Sequence, residues 1–258
     1  MNSAQIKPGV APNCRWSIKD TIKVFLVYVI LMFVGMPVIV RFLNIILGSN
    51  IINTVGLRSL ILFISLFTNV LICSYVFYIV CIEYRQSITA LGLSVANLPG
   101  NIKQGIKRYV ITLPLIMLAG FVINLISGYC GQAPEMQDVV RWVLEEKSIF
   151  ILASLIFFGI VVAPIIEEIM FRGFLQPVLK NSFGGRYAIA VTASLFAAVH
   201  MDMFAFLQIF ILGMLLGYLY EKTQTLIASI VVHILHNSLT LVFLLYFKYY
   251  LKGKVPVF

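Results

Sequence analysis

The sequence predicts an all-α fold: a polytopic bundle of transmembrane helices, seven by count with eight as the alternative, enclosing a polar site within the membrane. Three observations carry that reading. Of the 258 residues, 61% are hydrophobic and 11% charged, with a mean hydropathy of +1.00, whereas an ordinary soluble domain is roughly a quarter charged. The apolar residues gather into runs close to the length of about 20 that a membrane span requires. Most charges fall between those runs, and a small set falls inside the later ones.

In chain order the runs cover residues 22–47, 59–82 and 109–128, then 149–170, 187–201, 204–220 and 225–247, the last four short or closely abutted. Lys7, Arg15, Lys19 and Lys23 flank the start of the first run. That run is too long for the core of a cleaved secretory signal, so it is expected to stay as an anchor behind a cytoplasmic tail of residues 1–20. Residues 21–148 then form the N-terminal transmembrane helices, and residues 248–258 a C-terminal tail. Pro37, Pro114, Pro164, Gly213 and Gly217 lie inside apolar runs, where neighbouring helices tolerate kinks and close approach. The Gly213 and Gly217 pair reads as a packing face.

Nineteen Lys and Arg against ten Asp and Glu give a net charge of +9. On a soluble nucleic-acid binder this excess would form a basic face. Here the basic residues sit between apolar runs, so they read as topology signals and contacts to anionic lipid, and a nucleic-acid partner is excluded. Arg85, Lys103, Lys107 and Arg108 separate the second and third runs, and Lys180 and Arg186 follow the fourth. The loop after the third run carries Glu135, Asp138, Glu145 and Glu146 instead. Positive residues favour the cytoplasm, which places the N-terminus there too. With seven helices Lys248, Lys252 and Lys254 end up outside, against the rule, and this keeps the count of eight open. The cysteines, Cys14, Cys73, Cys81 and Cys130, form no CxxC pair and are expected as free thiols.

The chemistry lies in the last third of the chain. Glu167 and Glu168 are adjacent carboxylates at the end of an apolar run, a placement that is costly in lipid unless the groups pair or line a cavity. Glu168 and Arg172, at i and i+4, share a helix face and can pair, which leaves Glu167 turned elsewhere. The three histidines, His200, His233 and His236, all lie in or beside later runs. Phe196 shares a face with His200, and His233 with Asn237, again at i and i+4. A lone helical histidine is more often a packing residue than a catalyst, and His236 is read that way. Taken with the glutamates, His200 and His233 suit hydrolysis. A carboxylate beside an imidazole can hold and deprotonate water, and imidazole or carboxamide donors can bind an oxyanion.

These residues resemble the CPBP family of intramembrane glutamic endopeptidases, which includes the type II CAAX prenyl endopeptidases and the bacterial Abi proteins. The family's paired glutamates with a following arginine appear as Glu167, Glu168 and Arg172. Its Phe-x-x-x-His appears as Phe196 and His200, and its His-x-x-x-Asn as His233 and Asn237. The resemblance implies a catalytic core over residues 149–247, in which Glu167 and His200 activate water, His233 and Asn237 hold the oxyanion, and Glu168 and Arg172 support them. It implies no metal, although Glu167, His200 and His233 would also suit zinc. It implies a membrane-associated peptide or protein tail as substrate, with the site open to the cytoplasm near the end of the fourth helix, in a bacterial plasma membrane.

Two other classes compete. A non-catalytic immunity or scaffold protein would bind a partner without needing the motifs. A transporter would use buried charges as well, but the two halves lack the paired interrupted helices that point to a transport site.

Overall fold

The computed structural model describes residues 14–131 and 138–250. Lys7, Glu135, Lys252 and Lys254 lie outside the described residues. Among the described residues the chain forms eight helical rods and no strand. They are α1 (residues 18–55), α2 (residues 57–83), α3 (Leu98–Tyr129), α4 (Asp138–Glu145), α5 (Ile149–Phe183), α6 (Gly185–Val199), α7 (Phe206–Thr223) and α8 (Ile227–Tyr250). Five of them, α1, α2, α3, α5 and α8, hold a stretch long and apolar enough to cross a membrane. The molecule is a multi-pass membrane protein. The seven apolar runs each occupy a rod, and the eighth, α4, has 8 residues and is too short to cross.

Two boundaries differ from the hydropathy reading. The third rod starts at Leu98, with Pro99 in its first turn, about three turns before the apolar run at 109. Lys103, Lys107 and Arg108 interrupt the hydropathy there without interrupting the helix, because straight-chain cations are good helix formers. At the N-terminus, residues 14–17 of the segment read as a tail are docked. The Trp16 ring is buried against Phe174 at 5.4 Å and its indole N–H donates to the Phe174 carbonyl at 2.9 Å. Ser17 and Asp20 then close a capping box that starts α1.

The two ends of the bundle are chemically distinct. At one end Arg15 N–H donates to Gln86 Oε1, Asn181 Nδ2 to the Cys14 carbonyl, and Leu226 N–H to the Gly92 carbonyl. Arg85, Lys180 and Arg186 belong to this end. At the other, Lys248 Nζ donates to the carbonyls of Val143 at 2.8 Å and Glu146 at 2.6 Å, so this cation, one of the three that break the charge rule, is held by hydrogen bonds to carbonyls beside the acidic loop.

Helix α5 is the central strut. From Glu168 to Leu179 every residue is buried, whatever face it occupies, as expected of a rod packed on all sides. It is not a uniform α-helix. π-helical turns occupy Phe158–Val162 and Ile169–Leu175, and another interrupts α1 at Leu31–Gly35. Each precedes a proline by two residues: Pro164, Pro177 and Pro37. A proline has no N–H to donate and its ring collides with the carbonyl one turn back, so a locally widened turn relieves the clash without ending the helix. The short α-helical piece between the two turns of α5, Ala163–Glu168, carries the glutamate pair.

Helices α6 and α7 form a hairpin that begins and ends at the basic end and turns at residues 200–205. Fifteen residues of α6 rise about 22 Å, less than the hydrocarbon thickness of about 30 Å. The turn carrying His200 is therefore short of the far membrane face.

Candidate active site

The site is built behind a sealed ion pair. Glu168 and Arg172 have side chains with 0% exposure, and Arg172 Nη1 donates to Glu168 Oε1 at 2.8 Å. The second terminal nitrogen, Nη2, donates to the Gly213 carbonyl of α7 at 3.1 Å. One turn further on, Gln176 Nε2 donates to the Gly217 carbonyl at 3.1 Å and also to Glu221 Oε1, and Lys180 pairs with Glu221 at 2.5 Å. The i, i+4 positions of α5 thus meet the i, i+4 positions of α7 rung by rung. The GxxxG pair packs as its spacing suggests and also presents two backbone carbonyls to the buried cations and amides. A β-carbon at Gly217 would lie 2.9 Å from Gln176 Oε1, and one at Gly213 would lie 3.1 Å from Ala193 Cα, so both sites need glycine for close approach.

His233, buried on α8, bridges the glutamates. Its Nδ1 lies 3.0 Å from Glu168 Oε1 and its Nε2 lies 3.6 Å from Glu167 Oε2. Because a carboxylate accepts, Nδ1 carries the proton toward Glu168, and the neutral ring presents a lone pair at Nε2. Glu167 is half-buried and rotated off the ion-pair face, as its sequence position requires.

His200 ends α6, and its Nδ1 lies 2.7 Å from the Phe196 carbonyl. A carbonyl can only accept, so the neutral ring bears its proton on Nδ1 and leaves the Nε2 lone pair available. Met201 follows with φ of +52°, a left-handed turn that stops the helix at that point. Asp202 then accepts from the backbone N–H groups of Phe204 and Ala205, which makes it a turn-closing residue. Phe196 is the hub of the packing: its ring meets His200 at 4.8 Å and His233 at 5.6 Å, both edge-on, and the Arg172 guanidinium at 4.5 Å.

Asn237 Nδ2 donates to the Gly159 carbonyl at 2.9 Å. That carbonyl has a specific reason to need a donor. In the π turn the Ala163 N–H goes to the Phe158 carbonyl, and the next residue, Pro164, has no N–H for Gly159. Asn237 meets an acceptor that Pro164 orphans, while its second amide hydrogen stays available.

Glu167, Phe196, His200, His233 and Asn237 line one cavity of about 420 Å³ between α5, α6, α7 and α8, with Ile116 of α3 at one side. His236 lines it too, and so does Gln208 of α7, neither of which the motif reading selected for chemistry. The cavity continues past Leu241 and Leu244 to Val140 and Val143 of α4. It therefore runs toward the acidic-loop end, away from the basic end, because α4 and the far half of α8 form its walls. The expected opening at the basic end of the fourth helix is not what these walls produce. A larger open groove of about 620 Å³ on α3, lined by Leu98, Ile102, Lys103 and Lys107, contains none of the motif residues. Among the described residues no group of three or more His, Cys, Asp or Glu side chains is placed to hold a metal ion.

Residues 149–239 match the family model described as type II CAAX prenyl endopeptidase Rce1-like. The chain is similar to the "Membrane-embedded CAAX protease MroQ" of Staphylococcus aureus (strain USA300), with 27% identity over 153 residues, 53% of this chain and 59% of that protein. It is also similar to the "Putative membrane peptidase YdiL" of Bacillus subtilis (strain 168), with 25% identity over 125 residues, 48% of this chain and 49% of that protein. The matched stretches thus span about half to three fifths of these relatives' own lengths. No solved structure matches significantly. The matched residues 149–239 contain all seven motif positions, from Glu167 to Asn237, and over this stretch the chain is similar to CAAX-type membrane proteases.

Proposed function

We propose that this protein is an intramembrane endopeptidase that hydrolyses a peptide bond of a membrane-associated peptide or protein tail. The observation that carries the reading is the convergence of Glu167, His200, His233 and Asn237 from three helices on one cavity backed by a buried Glu168–Arg172 pair. In this reading a water held between Glu167 and the free Nε2 of His200 loses its proton to the carboxylate as it attacks the scissile carbonyl. Water is a poor nucleophile until a positioned base removes that proton. The developing oxyanion takes the second N–H of Asn237 and, when its ring is doubly protonated, Nε2–H of His233. Glu168 and Arg172 position His233. The leaving amine then recovers a proton from Glu167. No metal takes part, the N-terminus is cytoplasmic, and the membrane is that of a bacterial cell.

The test is cleavage of a panel of membrane-associated peptides by detergent-purified protein, wild type against Glu167→Ala, with and without a strong chelator. Cleavage should fall about 10²–10⁴-fold in the variant, the contribution typical of a positioned base, and should survive the chelator. Loss on chelation with recovery by zinc would replace this mechanism with one in which Glu167, His200 and His233 are metal ligands. Cleavage that Glu167→Ala leaves intact would end the catalytic assignment and favour a binding role.

A further inference from the structure

One group in the cavity is unused by this mechanism and is held too specifically for a packing residue. His236 lies three residues beyond His233 on α8 and lines the same cavity. Its Nδ1 is 3.0 Å from the hydroxyl of Tyr109 on α3, and the two rings meet edge-on at 5.9 Å. Tyr109 is 1% exposed, and among the described residues its hydroxyl meets no other hydrogen-bond partner. A buried phenol proton needs an acceptor, and Nδ1 is the acceptor at hand. Tyr109 therefore donates, which leaves the neutral His236 ring with its proton on Nε2. His236 is thus the opposite tautomer to His200: it is a donor where His200 is an acceptor.

Across the cavity Gln208 supplies a carboxamide from α7. Gly120 of α3 makes room for it, since a β-carbon there would overlap the Gln208 amide nitrogen. Both α3 residues, Tyr109 and Gly120, lie outside the family-matched region 149–239, yet each shapes a cavity-facing polar side chain within it.

We propose that His236 and Gln208 form a main-chain anchoring subsite: Nε2–H of His236 donates to a backbone carbonyl of the bound peptide, adjacent to the scissile bond, with Tyr109 as the positioning residue that fixes the donor tautomer. This rests on the endopeptidase reading above. An extended peptide offers a carbonyl at every residue and cannot pair it with lipid, so a fixed donor in the cavity wall aligns the chain against the water held by Glu167 without touching the reacting atoms.

The experiment uses full-length protein in detergent and a random library of short apolar peptides. For sequences that wild type cleaves, His236→Ala should raise KM about tenfold, the equivalent of one net hydrogen bond, and leave kcat within about twofold. Tyr109→Phe, which lets the proton sit on either ring nitrogen, should raise KM less. His236→Gln, whose amide N–H reaches nearly as far as Nε2, should recover most of the loss, an outcome that a purely structural role would not give. Unchanged KM, a fall confined to kcat, or Gln no better than Ala would overturn the proposal. Binding is measured separately by retention of the library on immobilised Glu167→Gln protein, read by mass spectrometry. Retention lost on adding His236→Ala supports the subsite, and retention unaffected by it, or no retention at all, overturns it. Failure of wild type to cleave any peptide overturns the endopeptidase reading alone.

Discussion

Asn237 illustrates how one side chain can hold two roles. Its amide satisfies the Gly159 carbonyl that Pro164 leaves without a partner, and the side chain lines the cavity. Asn237→Ala should therefore destabilise the fold by about 1–3 kcal/mol, the penalty of a buried unsatisfied acceptor, besides reducing cleavage. Pro164→Ala restores a backbone N–H for Gly159, so in the Asn237→Ala background it should recover part of the lost stability while activity stays low. Thermal unfolding in detergent reads the first effect and peptide cleavage the second; strictly additive stability changes would mean that Pro164 does not orphan this carbonyl. The ion pair behind the site predicts differently. Arg172→Ala leaves a fully buried Glu168 carboxylate without its cation, a loss of about 3–5 kcal/mol that should show as poor folded yield. Replacing both partners together with Gln and Met should be milder, since desolvation of the remaining charge is then avoided. At this scale spacing made part of the site legible: i, i+4 predicted both the Glu168–Arg172 pair and the diverging Glu167, while the motif set as a whole came from the resemblance. Tyr109 and Gln208 were not legible, because what makes them part of the cavity is packing between helices far apart in sequence.

Helices carry the next level of the argument. Lipid tails are as apolar as Leu, so no hydrophobic gain holds α5 against α7, and contact must come from close packing and polar bonds. The rungs at Arg172, Gln176 and Lys180 provide the bonds, and Gly213 and Gly217 the proximity. Gly217→Ala places a methyl 2.9 Å from Gln176 Oε1 and 3.1 Å from Ile189 Cγ2. It should destabilise the protein by about 1–3 kcal/mol through overpacking and displace Arg172 enough to lower cleavage. An unfolding midpoint equal to wild type would show that α7 moves away freely, and that the ladder does not position the site. Hydropathy located the seven apolar rods, but it could not see the basic first turns of α3 or the single amphipathic stretch of α4. Nor does a proline in an apolar run announce whether the chain kinks or widens. In α1 and α5 it widens, and in α5 the two π turns frame the segment that holds Glu167 and Glu168.

At the scale of the whole molecule, the sidedness of the bundle decides which compartment the cavity faces. In the orientation proposed from the charge distribution, the end carrying Arg85, Lys180 and Arg186 faces the cytoplasm, and the cavity walls lead to the opposite end, under α4. The native cysteines can test this. Cys130 caps the end of α3 on the α4 side and is exposed. Cys14 sits at the basic end, where burial pushes its thiol up to about 12. Raising a thiol's pKa keeps it in the protonated, unreactive form, so at neutral or mildly alkaline pH Cys14 should stay unlabelled from either side. A membrane-impermeant maleimide applied to intact cells should label Cys130, and Cys130→Ser should remove that signal. Labelling of Cys130 only after permeabilisation would reverse the orientation, turning the basic end outward and the cavity toward the cytoplasm. Because α4 and Lys248 close the same end, either result also says from which side of the membrane a peptide must arrive to meet Glu167.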